Sequence, residues 1–218
     1  MNGRPPSRRS SPAATGRGGG SVRIVGGRWR GTRLAVPDIQ GLRPTSDRVR
    51  ETLFNWLQPA LPGTTVLDLF AGSGALGLEA VSRGAARAWL VERDPSQAAA
   101  LRATVQRLEA GDRVQVVQDD ALRWLAGGHQ GAGFDIAFLD PPFDGDLWQA
   151  ALGALLPRMA RPSWIYLESP AGQASPAIPP GWALHRELLT AQARAWLLRG
   201  PAGEGDGGRD GSTPADPR

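Results

Sequence analysis

The chain has 218 residues, of which 41% are hydrophobic and 21% are charged, and it contains no cysteine. This balance predicts a globular protein with one core of ordinary domain size. The lack of cysteine excludes a disulfide scaffold, a cysteine-ligated metal site and thiol catalysis. Residues 169–185, the longest uncharged stretch, contain four prolines, so no transmembrane helix is expected. No apolar segment follows the first arginines, so we do not expect a secretory signal. We expect a cytoplasmic protein.

The 25 basic residues are all arginine and are unevenly distributed. Residues 1–55 contain eleven arginines and three acidic residues, a net charge of +8, whereas residues 56–218 have a net charge of −4. A basic front end on an acidic body is typical of a protein that binds a polyanion. For residues 1–20 we favour a solubilising tail, and for Arg23 to Arg50 we favour polyanion binding.

Composition and hydrophobic pattern divide the chain into four parts. Residues 1–20 and 201–218 have few apolar side chains, so we expect both to be disordered tails. Residues 21–58 are predicted to form an extension of a β-hairpin and a helix. Residues 59–200 are predicted to form the core domain.

The first elements of the extension are two short β-like segments, residues 22–25 and 32–36, separated by glycines that favour a hairpin. Val49, Leu53 and Leu57 then repeat at helical spacing. This spacing predicts a helix whose N-cap is Ser46 or Asp47.

The core is predicted to alternate strands with helices. Helical segments follow the first four predicted strands, and Trp148 to Met159 carry the apolar face of the last of these helices. Alternation of this kind implies parallel strands in a three-layer α/β fold. The predicted strands are residues 66–70, 88–92, 114–117, 134–139 and 164–167, followed by a closing pair at 182–188 and 194–198.

A glycine-rich loop follows the first core strand. Gly72, Gly74 and Gly77 form a G-x-G-x-x-G pattern that opens a helix, and Glu92 comes 20 residues after Gly72. This arrangement is compatible with a dinucleotide site. Asp68, four residues before the loop, would repel a pyrophosphate but would suit the ammonium group of S-adenosylmethionine (AdoMet). The residues therefore favour AdoMet over a nicotinamide dinucleotide, with Glu92 binding the ribose hydroxyls.

Acidic residues also follow the third and fourth strands. One of Asp119 and Asp120 is expected to cap the next helix, and we assign the adenine amino group to Asp120. Asp140-Pro141-Pro142-Phe143 follows an apolar strand at the sheet edge where ligands bind in open α/β folds. The Asp140 carboxylate and the Pro141 carbonyl could orient an exocyclic amino group for methylation, and Phe143 could stack on an unstacked base.

Two N-terminal segments complete a resemblance to a known family. Residues 68–74 and 140–143 resemble a class I AdoMet-dependent amino-methyltransferase. Residues 23–31 and 41–57 resemble the start of the bacterial small-subunit rRNA guanine-N2 methyltransferases called RsmD. The resemblance extends over roughly residues 22–199.

The resemblance implies a Rossmann-like sheet of seven strands, the last one antiparallel, and N2-methylation of guanine 966 in 16S rRNA of the small (30S) ribosomal subunit. It implies AdoMet as the cofactor, no metal, no membrane association and a monomer. The implied catalytic residues are Asp140, Pro141, Pro142 and Phe143. The implied cofactor-binding residues are Asp68, Phe70, Ala71, Gly72, Gly74, Glu92, Arg93, Asp120, Ala121 and Asp140. The implied RNA-binding residues are Arg23, Arg28, Arg30, Arg33, Arg43, Arg48 and Arg50. For Arg48 and Arg50 the alternative is that, on a helix, they brace Asp68, Glu51 or the target-base loop.

Three other functions stay open at this point. The same fold could methylate adenine N6 in DNA or a glutamine of a protein, although Phe143 and the basic front end disfavour both. A ribosome assembly factor with a vestigial cofactor pocket is a non-enzymatic alternative. A nicotinamide-dependent enzyme is the most distant one.

Overall fold

The structure, a computed structural model, describes residues 20–36, 47–127, 131, 133–142, 147–172, 177–191 and 193–202. Arg43 and Phe143, together with both predicted tails, lie outside these residues, apart from Gly20 and two residues after Gly200. Among the described residues, no helix is long and apolar enough to cross a membrane.

Nine strands and five α-helices make up the described part of the chain. Two single-turn 3₁₀ helices, Gly27–Trp29 and Leu156–Arg158, join neighbouring elements. The strands are β1 (Ser21–Arg23), β2 (Arg33–Ala35), β3 (Thr65–Asp68), β4 (Arg87–Glu92), β5 (Val114–Gln118), β6 (Phe134–Leu139), β7 (Met159–Pro170), β8 (Ala183–Leu189) and β9 (Ala193–Arg199). The helices are α1 (Asp47–Leu57), α2 (Ala75–Ser82), α3 (Pro95–Arg107), α4 (Ala121–Gly127) and α5 (Leu147–Leu155).

Seven strands form one sheet in the order β5-β4-β3-β6-β7-β9-β8. The first five of these run parallel, whereas β9 is antiparallel to both β7 and β8. This confirms the predicted seven-stranded sheet with an antiparallel last strand. The carboxyl ends of β3, β4, β5 and β6 therefore meet at one edge, where each predicted acidic site residue ends or follows a strand.

Side chains of the buried strands point alternately to the two faces of the sheet. Both faces are apolar, and helices cover both of them. On one face, Val66, Leu90 and Phe138 pack with α1, α2, α3 and the β1–β2 hairpin. On the other face, Leu67 and Ala137 pack with α4 and α5. The N-terminal segment is thus part of the packing on one face of the sheet.

Helix α5 is shorter than the apolar spacing predicts. It ends at Leu155, and Met159, predicted to lie on the helix, is instead the first residue of β7. Pro157 explains the difference, because its ring clashes with the carbonyl four residues earlier and it has no N–H to donate. The chain turns once through Leu156–Arg158 and enters a strand of 12 residues.

Polar side chains of α2 attach the hairpin to the body. Glu79 is fully buried, accepts a hydrogen bond from the Val25 N–H at 2.7 Å and pairs with Arg83 Nε at 2.6 Å. Ser82 Oγ donates to the Gly26 carbonyl and accepts from the Trp29 N–H, at 2.6 and 3.0 Å. Buried hydrogen bonds of this kind are costly to lose, so the hairpin has a defined position on α2.

Candidate active site

A cleft of about 810 Å³, open to solvent, lies at the carboxyl edge of the parallel strands. The cleft brings together eight of the predicted site residues: Phe70, Gly72, Glu92, Arg93, Asp120, Ala121, Asp140 and Pro142. Six further residues line it without having been predicted as site residues: Leu69, Val91, Asp94, Gln97, Asp119 and Leu147.

The glycine loop forms one wall of this cleft. Gly74 has φ of +76°, a left-handed conformation that favours glycine. Gly77 lies so close to β4 that an added Cβ would be 2.1 Å from Leu90 Cδ2. The loop can therefore turn sharply and α2 can pack tightly on the sheet. Gly72 lines the cleft, whereas Gly74 and Ala71 are buried beneath it.

Asp68 is buried at the end of β3 and does not itself line the cleft. Only 2% of the residue is exposed, and Oδ2 accepts a hydrogen bond from the Gly77 N–H at 2.9 Å. Burial, with a smaller contribution from the charge of Glu92, raises the pKa of Asp68 to about 7, although the Gly77 hydrogen bond opposes this shift. A cation beside this carboxyl group would favour its ionised form.

Glu92, the last residue of β4, accepts hydrogen bonds from the glycine loop after β3 and from the loop that leads to α3. Oε2 accepts from the Gly72 N–H at 2.9 Å, and Oε1 accepts from the Asp94 N–H at 2.8 Å. Each carboxylate oxygen has a second lone pair, so these two bonds leave capacity for ligand hydroxyls. Asp94 caps α3 by accepting from the Gln97 N–H at 2.9 Å. The hydroxyl of Ser96, and then the Gln97 N–H, lower the pKa of Asp94.

Asp119 and Asp120, the two aspartates after β5, make different contacts. Asp120 caps α4, because its Oδ1 accepts from the N–H groups of Leu122 and Arg123 at 3.0 and 3.1 Å. Asp119 pairs with the Arg123 guanidinium, whose hydrogen bond lowers the pKa of this carboxyl group. The residue to which we assigned the adenine is thus also the helix cap, and its cap bonds use only Oδ1.

The Asp140 loop continues directly from the buried strand β6. Asp140 and Pro142 line the cleft and are partly exposed, whereas Pro141 is buried. Behind them on β7, the buried Tyr166 hydroxyl donates to Glu168 Oε2 at 2.6 Å. Burial first, and then the nearby charges of Glu168 and Asp140, raise the pKa of Tyr166 well above its ordinary value.

Most of the predicted RNA-binding arginines are on the surface, but Arg50 is not. Arg50 is fully buried, and its Nη2 donates to Asp47 Oδ1 and to the Arg23 carbonyl at 2.6 and 2.8 Å. Its Nε and Nη1 have no hydrogen-bond partner within the described residues. A buried guanidinium does not fit a phosphate contact, and helix spacing turns Arg50 inward beside Leu53 and Phe54. Arg50 does brace the protein, but its partners are Asp47 and the Arg23 carbonyl rather than the predicted Asp68, Glu51 or target-base loop. The exposed arginines are Arg23, Arg28, Arg30, Arg33 and Arg48.

Three of the polar lining residues that the sequence analysis missed could have been found from their positions next to the ends of β4 and β5. Asp94 and Gln97 lie at the start of α3, just after Glu92, and Asp119 is the first residue after β5. These positions lie at the same carboxyl edge as Glu92 and Asp140. Among the described residues, no three His, Cys, Asp or Glu side chains are grouped so that they could hold a metal ion.

Comparisons with known proteins agree with this geometry. Residues 22–199 match the family described as "Conserved hypothetical protein 95". The chain is 45% identical over 192 residues to "Ribosomal RNA small subunit methyltransferase D" of Escherichia coli (strain K12), a match covering 87% of this chain and 96% of that protein.

Solved structures are similar in the same way. "Putative methyltransferase yhhF from Escherichia coli" superposes with a TM-score of 0.76 at 42% identity, covering 84% of this chain and 100% of the other. The "T. Thermophilus 16S rRNA N2 G1207 methyltransferase (RsmC) in complex with AdoMet and Guanosine" superposes with a TM-score of 0.61 at 21% identity, covering 88% and 53%. The second likeness is one of fold alone.

Proposed function

Because the chain belongs to the family described as "Conserved hypothetical protein 95", the RsmD family, we propose that it is an AdoMet-dependent rRNA methyltransferase. Its proposed product is N2-methylguanosine at position 966 of 16S rRNA in the small ribosomal subunit. The observation that carries this proposal is the single cleft joining the glycine loop, Glu92 and the Asp140 loop.

The residues of the cleft fit AdoMet. Gly72 leaves its wall open to close approach by a ligand, and Glu92 retains acceptor capacity for ribose hydroxyls. Asp120 Oδ2 is available for the adenine amino group. The pKa of about 7 at Asp68 marks a buried carboxyl group without a cationic partner, which the methionine ammonium would supply. When bound, AdoMet supplies an electrophilic methyl group on a sulfonium.

The Asp140 loop would orient the guanine amino group. That nitrogen is a weak nucleophile because its lone pair is delocalised into the ring. The Asp140 carboxylate and the Pro141 carbonyl would each accept one N–H, which aims the lone pair at the methyl group by positioning and electrostatics. Methylation makes the nitrogen strongly acidic, so its proton can leave to Asp140 or to water. We assign stacking on the target base to Phe143, which lies outside the described residues.

The exposed arginines would bind the RNA backbone. Arg23, Arg28, Arg30, Arg33 and Arg48 are exposed on the hairpin and α1, and none of them lines the cleft. Arginine contacts to phosphate position a nucleic acid without reading its sequence. We propose that these contacts orient the small subunit while Asp140 acts on one unstacked base, and that the protein works as a monomer.

The test is transfer of labelled methyl groups from AdoMet to four substrates in parallel: small ribosomal subunits, bare 16S RNA, DNA and a protein lysate. The labelled product is then digested and identified. Label in N2-methylguanosine at position 966, strongest with subunits, is the expected result. Label on adenine of DNA or on protein would overturn the substrate. Absence of label together with absence of AdoMet binding by calorimetry would favour an assembly factor.

A further inference from the structure

A second cavity, of about 530 Å³, adjoins the cofactor cleft. The two cavities share Gly72 and Gln97 and are therefore contiguous at the glycine loop. From there the second cavity extends between the end of β2 and the side of α3. We call it the hairpin groove; besides the two shared residues, its lining includes Val36, Ser73, Ser96, Ala100, Leu101 and Thr104.

Among the residues that the structure describes, those lining the hairpin groove carry no charged side chain, in contrast to the cleft. Glu92, Asp94, Asp119, Asp120 and Asp140 all line the cleft. An RNA phosphate placed among these carboxylates would be repelled, because the cleft is only partly screened by water. Apolar and hydroxyl-bearing side chains line the hairpin groove instead, and these are surfaces on which a base or a ribose can rest.

Arginines stand beside this uncharged groove. Arg107, in the last turn of α3, donates from Nη2 to the carbonyl of Arg33 on β2 at 3.3 Å. This hydrogen bond joins the two elements that form the groove walls. Both guanidinium groups belong to exposed residues, and neither forms an ion pair within the described part of the chain. Both charges are therefore available to an anion.

We propose that the hairpin groove binds the nucleotide adjacent to the target guanine in the RNA strand. Its base or ribose would lie against Ala100 and Leu101, and its phosphate would lie near Arg33 and Arg107. Contiguity with the cleft at Gly72 and Gln97 lets one strand place its target base in the cleft and its neighbour in the groove. This proposal rests on the proposed function, since it requires an RNA substrate.

Two neighbouring alanines of α3 provide a matched test. Ala99 and Ala100 are both exposed, but only Ala100 lines the groove. Ala100→Trp should fill the groove and raise the KM for small subunits about tenfold, the scale expected when one nucleotide contact worth about 1.4 kcal/mol is lost. Ala99→Trp should leave this KM unchanged. Both variants should keep wild-type AdoMet affinity and Tm.

A matched pair of arginine variants on α3 and a crosslinking experiment extend this test. Arg107→Ala should raise the KM for subunits several-fold, because Arg107 bridges α3 to β2 beside the groove. Arg102→Ala should not, because this exposed arginine of the same helix has no hydrogen bond to β2 among the described residues. A photoreactive benzophenone side chain at position 100, but not at position 99, should crosslink to the rRNA of small subunits.

The possible outcomes separate this proposal from the proposed function. Methyl transfer by Ala100→Trp with an unchanged KM, or methyl transfer without a crosslink at position 100, would overturn the groove and leave the function standing. A crosslink at position 100 without any methyl transfer to RNA would overturn the function and leave the groove as an RNA-binding site.

Discussion

The cleft at the carboxyl edge and the hairpin beside it are opposite in charge and in how they are attached. Five carboxylates line the cleft, and each follows or ends a strand of the buried sheet. The hairpin carries Arg23, Arg28, Arg30 and Arg33 on its surface. It is held to the body by apolar packing of its buried side chains and by buried polar contacts with α2. Carboxylates at the cleft would favour a cationic ligand group, and arginines on the hairpin would favour a polyanion. The proposed function therefore places its two binding tasks on different surfaces.

Removing one carboxylate from the cleft should have the largest effect. Asp140→Ala takes away one of the two acceptors proposed to orient the target amino group. We expect the methyl-transfer rate to fall by about 10²–10³-fold, the scale seen when a group that stabilises a transition state is removed. AdoMet affinity, measured by calorimetry, should change much less. Asp112→Ala, at an exposed carboxylate outside the cleft, is the control, and normal turnover by Asp140→Ala would remove Asp140 from this role.

Detaching the hairpin should have the next largest effect. Glu79→Ala removes the acceptor for the Val25 N–H and the partner of Arg83, both of which are largely buried. We expect the free energy of unfolding to fall by about 3 kcal/mol, because a buried charge loses its partner. Denaturant unfolding measures this change. Glu51→Ala, at an exposed position of α1, should stay within about 0.5 kcal/mol; equal effects of the two variants would contradict the role of Glu79.

Acidity should weaken cofactor binding through Asp68. With a pKa of about 7, this carboxyl group is mostly protonated at pH 5.5, and a ligand ammonium requires the ionised form. The ionised fraction rises about 15-fold between pH 5.5 and 7.0, and the apparent AdoMet affinity should rise by a similar factor. The ligand ammonium stays largely protonated over this range.

The pH dependence has a matched variant and a second consequence. Asp68→Asn should bind AdoMet with little change over the same range, and a pH profile identical to that of the wild type would contradict the assignment. Because the folded-state pKa lies above the unfolded value of 3.8, the ligand-free protein should lose stability as the pH rises from about 4 to about 7. Urea unfolding at several pH values measures this loss.

Neutralising a single hairpin arginine should have the smallest effect. Arg30→Ala removes one exposed charge, and we expect a several-fold loss of affinity for small subunits together with a decrease of about 1 in the slope of log affinity against log salt. Arg87→Ala removes an exposed arginine from the amino end of β4, opposite the cleft. If the slope of log affinity against log salt decreased equally in both variants, the hairpin arginines would contribute no more to RNA binding than other exposed arginines do.

Sequence patterns predicted the sheet more accurately than they predicted the fate of single side chains. Strand and helix alternation predicted the parallel α/β sheet correctly, since long apolar segments leave few alternatives, whereas the antiparallel last strand was implied by the family resemblance. The predicted end of α5 was wrong, although Pro157 could have indicated that the helix ends before Met159. The direction of Arg50 depended on the packing of α1 against Phe138, a contact between residues far apart in the chain.

By itself, the sequence determined the fold class, the glycine loop and the order of the acidic residues along the chain, because each depends on local spacing and composition. The tertiary structure alone decided which carboxylates share the cleft, that Asp120 rather than Asp119 caps α4, and that Glu79 holds the hairpin. It also revealed the hairpin groove between β2 and α3. Apart from the local Asp120 cap, these features depend on the distance and burial of groups far apart in the chain, such as Arg33 and Arg107, which are 74 residues apart. Neither distance nor burial can be read from a linear pattern.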